Sequence, residues 1–189
     1  MSEPEGSARR QELLEAAYAW VLEHGWAGMS LRPLAEAIGS SPRVLLFLFG
    51  SKDGLVRALL ERARADELRF LGSAPPGDLA AIAWRVWEWL AAPDRRGLLT
   101  LWVEAYARSL VEPDGPWSGF AARTVDDWLE LLAASQPVPR RRTASGAAER
   151  TAVLAVLRGA MLDVLATGDV ARTTAAVRGQ LQSVGKPNG

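Results

Sequence analysis

The strongest constraint on the fold is the spacing of apolar residues at intervals of three and four positions, interrupted by clusters of glycine and proline. In the first such segment Leu13, Ala17, Trp20 and Val21 share one helix face, and Gly25 is expected to end the helix. No segment alternates apolar and polar residues cleanly enough to indicate a half-buried strand. The pattern therefore predicts an all-α protein with about nine helices.

The positions of glycine, proline and serine predict where the helices begin and end. A first helix is expected over residues 7–24, and two short helices should follow Ser30 and Ser41. Ser51 is expected to cap a longer fourth helix. Five more are predicted over residues 78–91, 94–111, 117–135, 147–167 and 169–184. Residues 136–146 are predicted to form a mobile loop, and residues 185–189 a frayed tail.

The two short helices are joined by Gly39, Ser40 and Ser41, which is the pattern of a helix-turn-helix motif. Four apolar side chains are expected to form the small core that fixes their crossing angle: Leu34, Ile38, Leu45 and Phe49. The outer side of the second helix would then be available to enter the major groove of DNA.

The sequence around this motif carries further residues in a familiar order, namely Arg10, Leu13-Leu14, Ala16-Ala17, Glu23-His24-Gly25, Ser30-Leu31-Arg32, Leu34-Ala35, Ile38-Gly39, Ser41, Leu45, Phe49 and the run from Ser51 to Leu55. From residue 9 to about residue 60 the chain resembles the TetR-type transcriptional regulators. The resemblance implies an N-terminal three-helix helix-turn-helix DNA-binding domain over residues 1–52 and a connecting helix over 53–72. A C-terminal helical ligand-binding and dimerisation domain would follow over 73–185, with a tail over 186–189.

The resemblance also implies DNA contacts from the start of the second helix, the exposed side of the third and the start of the fourth. Hydroxyl and cationic side chains suit phosphate oxygens, and Arg32 and Arg43 can fork onto a guanine edge. The third helix departs from the family, which usually has Tyr at the position of Leu46 and an aromatic residue or His at that of Leu48. Apolar side chains there can touch thymine methyls but donate nothing to phosphate, which predicts a shallow salt dependence. The candidate DNA-binding residues are Ser30, Arg32, Ser41, Arg43, Val44, Leu46, Phe47, Leu48 and Lys52.

Aromatic residues are concentrated beyond residue 80, at spacings that place pairs of them on common helix faces. Each one is explained by a large aromatic core, whereas the group together could line an apolar cavity. The resemblance implies a small-molecule pocket in this region. The candidate ligand-binding residues are Trp84, Trp87, Trp102, Tyr106, Trp117, Phe120 and Trp128.

The predicted helix over residues 147–167 is apolar almost all round and needs cover from more than one neighbour. A self-associating four-helix interface would supply it, and a homodimer would present two recognition helices to half-sites roughly 34 Å apart. The candidate dimer residues are Leu154, Leu157, Met161, Val164, Leu165, Val177 and Leu181.

Composition narrows the function further. The chain has no cysteine and a single histidine, His24, so no thiolate or histidine-based metal site is expected, and no cofactor. Lys and Arg together number 22, as do Asp and Glu, and no apolar run reaches the ~18 residues of a membrane span. Together with these exclusions, the resemblance implies a cytoplasmic, bacterial, non-enzymatic regulator that binds operator DNA as a homodimer. It would be a repressor released by a small apolar or aromatic effector.

Two alternatives remain open on the sequence alone. One is a ligand-binding or catalytic α-bundle with a weak or vestigial DNA-binding motif, in which Glu88, Glu104, Asp126 and Asp127 would be candidate acid/base residues. The other is DNA binding without any response to a ligand.

Overall fold

The computed structural model describes residues 3–26, 29–72, 78–112, 114–182 and 184, and all of the regular structure within these ranges is helical. The all-α prediction is confirmed, with ten α-helices in place of about nine. In chain order they are α1 (Glu3–His24), α2 (Leu31–Ala37), α3 (Pro42–Phe49), α4 (Lys52–Gly72), α5 (Leu79–Leu90), α6 (Arg96–Val111), α7 (Phe120–Ala134), α8 (Val138–Arg141), α9 (Ala144–Thr167) and α10 (Val170–Leu181), with one 3₁₀ turn at Pro93–Arg95. The predicted tail over residues 185–189 lies outside the described residues.

The prediction of a mobile loop over residues 136–146 is wrong, because this segment contains α8 and is held by a buried side chain. Gln136 is 3% exposed. Its Nε2 donates to the carbonyl of Gly146 at 3.2 Å and to Glu149 at 2.8 Å, while its Oε1 accepts from Arg150 at 2.6 Å. The prolines and arginines of the segment indicated a loop, whereas tertiary hydrogen bonds decide its conformation.

The helices group into two compact units. Residues 1–67 and 97–123 form the first unit, and residues 68–96 and 124–189 form the second. The helix-turn-helix region therefore shares its unit with α6. The domain limits that the resemblance implies stay a prediction.

In the first unit, α1 to α4 and α6 enclose one apolar core. Three of the four predicted motif-core residues, Leu34, Leu45 and Phe49, are buried, and Ile38 packs partly against them. This agrees with the expected packing of α2 on α3.

A polar cluster joins α4 to α1 at the edge of this core. Arg62 Nε donates to Glu15 at 2.8 Å and Nη1 pairs with Asp66 at 2.6 Å, while the Tyr18 hydroxyl donates to Asp66 at 3.0 Å. Burial raises the pKa of the Tyr18 hydroxyl above its usual value, and the Asp66 carboxylate acts in the same direction. Because these groups lie at the edge of a core and satisfy one another, they fix where α4 runs along α1.

The second unit is built on α5, α9 and α10, each of which packs against the other two. Trp87, Leu157 and Val177, one from each helix, are all 1% exposed. The indole nitrogen of Trp87 donates to the Thr174 hydroxyl at 3.1 Å, which satisfies its polar group in the interior.

Candidate DNA-binding surface

The turn between α2 and α3 has the geometry that a helix-turn-helix motif requires. Gly39 adopts φ +64°, a left-handed conformation that favours glycine, and Ser40 N donates to the carbonyl of Ala35 at 2.8 Å. The Ser41 hydroxyl then accepts from Val44 N at 3.3 Å and caps α3. These local interactions set the direction in which α3 leaves α2.

The predicted DNA contacts lie on the surface of the first unit. Ser41 and Leu48 are partly buried, and Leu48 packs against the core. Phe47 stands out because its side chain is 85% exposed although it is fully apolar. The remaining predicted residues are exposed: Ser30, Arg32, Arg43, Val44, Leu46 and Lys52.

Helix α3 is divided into an inner and an outer face. Leu45 and Phe49 point into the core, and the Arg10 guanidinium lies 4.9 Å from the Phe49 ring centroid. The outer face presents Arg43 together with Val44, Leu46 and Phe47, so it combines one cation with a continuous apolar strip. Such a face can hydrogen-bond a base edge through Arg43 and contact methyl groups through its neighbours.

Two further polar groups flank this face. The Ser51 hydroxyl accepts from Gly54 N at 3.0 Å and caps α4, which leaves Lys52 exposed in the first turn. Ser30 occupies the N-cap position of α2, but its hydroxyl makes no capping bond. A helix N-terminus, an ammonium group and an uncommitted hydroxyl all suit phosphate oxygens.

Sequence reasoning missed Trp26, which follows the glycine that ends α1. Its backbone N–H donates to Glu104 Oε2 of α6 at 2.9 Å, and its indole nitrogen donates to the carbonyl of Leu101 at 3.0 Å. Its ring meets that of Trp117 edge-on at 4.9 Å. The only signal in the sequence was that a tryptophan directly follows a helix-ending glycine. Helical periodicity does not predict whether a residue outside a helix is buried. Glu104, a candidate acid or base in the enzyme alternative, is engaged here instead.

The seven predicted ligand-binding aromatic residues are distributed over both units. In the first, Trp102 and Tyr106 stack at 4.9 Å, while Trp117 and Phe120 are buried.

In the second unit, Trp87 and Trp128 are buried, and Trp128 contacts Trp89 at 6.4 Å. The Arg178 guanidinium lies over Trp84, with its central carbon 4.9 Å from the centroid of the ring. The indole nitrogen of Trp84 donates to Glu88 at 2.9 Å. These aromatic residues have packing partners inside their own units, as the core interpretation expects.

The predicted dimer residues are mostly covered within one protomer. Val164 and Leu165 are partly buried, and five others are buried in the core of the second unit: Leu154, Leu157, Met161, Val177 and Leu181. These residues belong to α9 and α10, and α9 packs against both α5 and α10 within the unit. A different face of α9 carries exposed small and apolar residues at alternating intervals of four and three: Ala148, Ala152, Ala155, Gly159, Leu162 and Ala166.

Within the described ranges, no helix combines the length and apolarity needed to cross a bilayer. A family model described as "Bacterial regulatory proteins, tetR family" matches residues 13–59, which include α2, α3 and the start of α4.

Curated relatives and solved structures extend this similarity. An HTH-type transcriptional repressor of Mycobacterium tuberculosis, Rv1474c, is 31% identical over 172 residues, 91% of this chain and 86% of that protein. The HTH-type transcriptional repressor AcnR of Corynebacterium diphtheriae is 34% identical over 104 residues, which span 55% of this chain and only 52% of AcnR. The multidrug binding protein EbrR, crystallised with imidazole, superposes with a TM-score of 0.66 at 27% identity, covering 96% of this chain and 93% of EbrR.

Proposed function

The chain belongs to the TetR family of bacterial regulatory proteins, and we propose that it is a homodimeric repressor that binds operator DNA through the outer face of α3. The observation that carries this proposal is the exposed face formed by Arg43, Val44, Leu46 and Phe47 on a capped helix-turn-helix. The similarity to curated repressors supports repression as the sign of regulation.

Each group on this surface has a distinct role in the proposal. Arg43 hydrogen-bonds a guanine edge, and the apolar neighbours contact sugars and thymine methyls. Ser30 and Lys52 contact phosphates on either side, Arg32 is the second arginine able to reach a guanine edge, and Ser41 holds the start of α3. Because α3 itself supplies one cation, we expect few phosphate contacts and a shallow dependence of affinity on salt.

Release by a small-molecule effector completes the proposal. The multidrug binding protein EbrR was crystallised with imidazole, which supports a similar capacity for small molecules in this chain. An effector acts by binding the DNA-bound and DNA-free states with different affinity, typically by ~1–3 kcal/mol. In this proposal the predicted aromatic residues belong to the helices whose positions change when the effector binds.

Binding to the DNA upstream of the protein's own coding sequence tests the proposal directly. Fluorescence anisotropy at two salt concentrations, with scrambled competitor, should give competitor-resistant binding. Arg43→Ala should weaken it about tenfold or more, because one bidentate base contact contributes ~1–3 kcal/mol.

Arg142→Ala provides the matched control, since this arginine is exposed and lies beside α8 in the second unit. Equal affinity for specific and scrambled DNA across a set of upstream fragments would contradict the proposal, as would equal losses from the two substitutions.

A further inference from the structure

A cleft in the first unit lies between one face of α4 and the turn that precedes α7. Its volume is about 460 Å³, within the usual range of small-molecule sites. Leu60 of α4 and Phe120 at the start of α7 line it and are 4% and 3% exposed. The cleft therefore has an apolar floor formed by two elements that are distant in sequence.

Cationic groups surround this floor. Arg57 and Arg64 lie two turns apart on α4, and Arg123 faces them from the first turn of α7. The Arg123 guanidinium lies over Gly119, so that a Cβ at Gly119 would fall 2.7 Å from Nη1. Glu61 is the one acidic residue in the lining, so three guanidinium groups face a single carboxylate.

The guanidinium groups of two of these arginines have no partner in the described part of the chain. Neither the Arg57 nor the Arg123 guanidinium makes a hydrogen bond or ion pair there, and both residues are exposed. Arg62, also on α4, shows the contrast because it is bound by both Glu15 and Asp66. Arg57 and Arg123 are exposed at the rim of the cleft and keep their fork of donors available to an anion.

We propose that this cleft binds a small organic anion whose apolar body lies on Leu60 and Phe120 and whose carboxylate or phosphate is held by Arg57 and Arg123. An anionic head alone would compete poorly with water at so open a site, and an apolar body alone would leave the guanidinium groups unused. The proposal is independent of DNA binding. It also differs from the apolar or aromatic effector expected from the sequence, because it requires charge on the ligand.

Isothermal titration of the full chain tests both requirements with matched probes. 2-Naphthoate and 2-naphthyl phosphate carry an aromatic body and an anionic head, 2-naphthamide is the neutral counterpart, and acetate has the head without the body. At least one naphthyl anion should bind, and should bind at least tenfold more tightly than 2-naphthamide or acetate. The two anions separately identify the preferred head group.

Substitutions in the cleft then test whether the anion binds there. Arg57→Gln and Arg123→Gln should each weaken binding of the naphthyl anion at least fivefold, and Arg142→Gln should leave it unchanged. Unaltered thermal unfolding would show that the variants are folded. Equal binding of anion and amide, no binding of either anion, or equal affinity in all variants would overturn the proposal. Because no DNA is present, these results are separate from the operator experiment.

Discussion

Phe47 exposes most of a large apolar ring to solvent in the isolated protomer, and this exposure needs a physical reason. Its side chain is 85% exposed, beside the exposed Val44 and Leu46 on the same helix. Covering such a ring would contribute ~1.5–3 kcal/mol. In the major groove the apolar group that base pairs present is the C5-methyl of thymine. We propose that the Phe47 ring contacts such a methyl group when the protein binds its operator.

Phe47→Ala should weaken operator binding about fivefold to thirtyfold, the equivalent of ~1–2 kcal/mol, because the ring's burial on DNA is lost. Replacing operator thymines with uracil removes the methyl groups and nothing else. It should reduce wild-type affinity and have a smaller effect on the variant. Anisotropy titrations of both proteins on both DNAs give the coupling between ring and methyl.

Leu110→Ala is the control for loss of an exposed apolar side chain, since Leu110 is 66% exposed on α6 rather than on α3. If uracil substitution lowers the affinity of wild type and variant equally, Phe47 contacts no thymine methyl.

At the scale of elements, α6 is fastened to the end of α1. Glu104 and Leu101 of α6 accept both N–H donors of Trp26, at 2.9 and 3.0 Å. A Cβ at Gly97 would lie 2.7 Å from the Leu22 carbonyl oxygen, so glycine permits the helices to approach this closely. The end of α1 and Trp26 are therefore positioned by α6.

Glu104→Ala should lower the free energy of unfolding by ~1–3 kcal/mol, because a part-buried N–H of Trp26 loses its charged acceptor. Glu104→Gln keeps an acceptor oxygen and should cost less. Urea denaturation measures both changes. Glu112→Ala is the control, since its carboxylate pairs with Arg108 on the surface of the same helix at 3.4 Å. Equal stability of the Glu104→Ala and Glu112→Ala variants would show that the contact with Trp26 contributes little.

For the whole molecule, the exposed stripe on α9 is the surface that we propose for dimerisation. Its members alternate at intervals of four and three residues, as in helices that pack along a shared seam. Small side chains let two helices approach closely, and nothing within the protomer lies within 4 Å of a Cβ built at Gly159. A second protomer would cover this stripe and place two α3 helices on one operator.

Gly159→Leu should convert the dimer to a monomer near the chain mass of 20.4 kDa, because leucine fits within the protomer but obstructs a close helix contact. Light scattering after size exclusion measures the mass. Gly6→Leu is the matched control, since Gly6 is also helical and exposed and its built Cβ also meets nothing within 4 Å. A Gly159→Leu protein that remains dimeric would place the interface elsewhere.

Local patterns determined much of this molecule from sequence alone. The helical class, the Gly39 turn, the Ser41 and Ser51 caps and the buried Leu34, Leu45 and Phe49 all depend on neighbours a few residues away, which the sequence displays directly. The exposed face of α3 follows from the same periodicity.

Only the tertiary structure decided what covers each apolar face and which polar group meets which. The sequence marks Leu157 and Met161 as apolar, and the structure buries them in the unit where α9 packs against α5 and α10. The sequence shows no link between Trp26 and Glu104, which are 78 residues apart, or between Gln136 and the start of α9. These outcomes depend on contacts between distant segments, and a helical period specifies a face without specifying its neighbour.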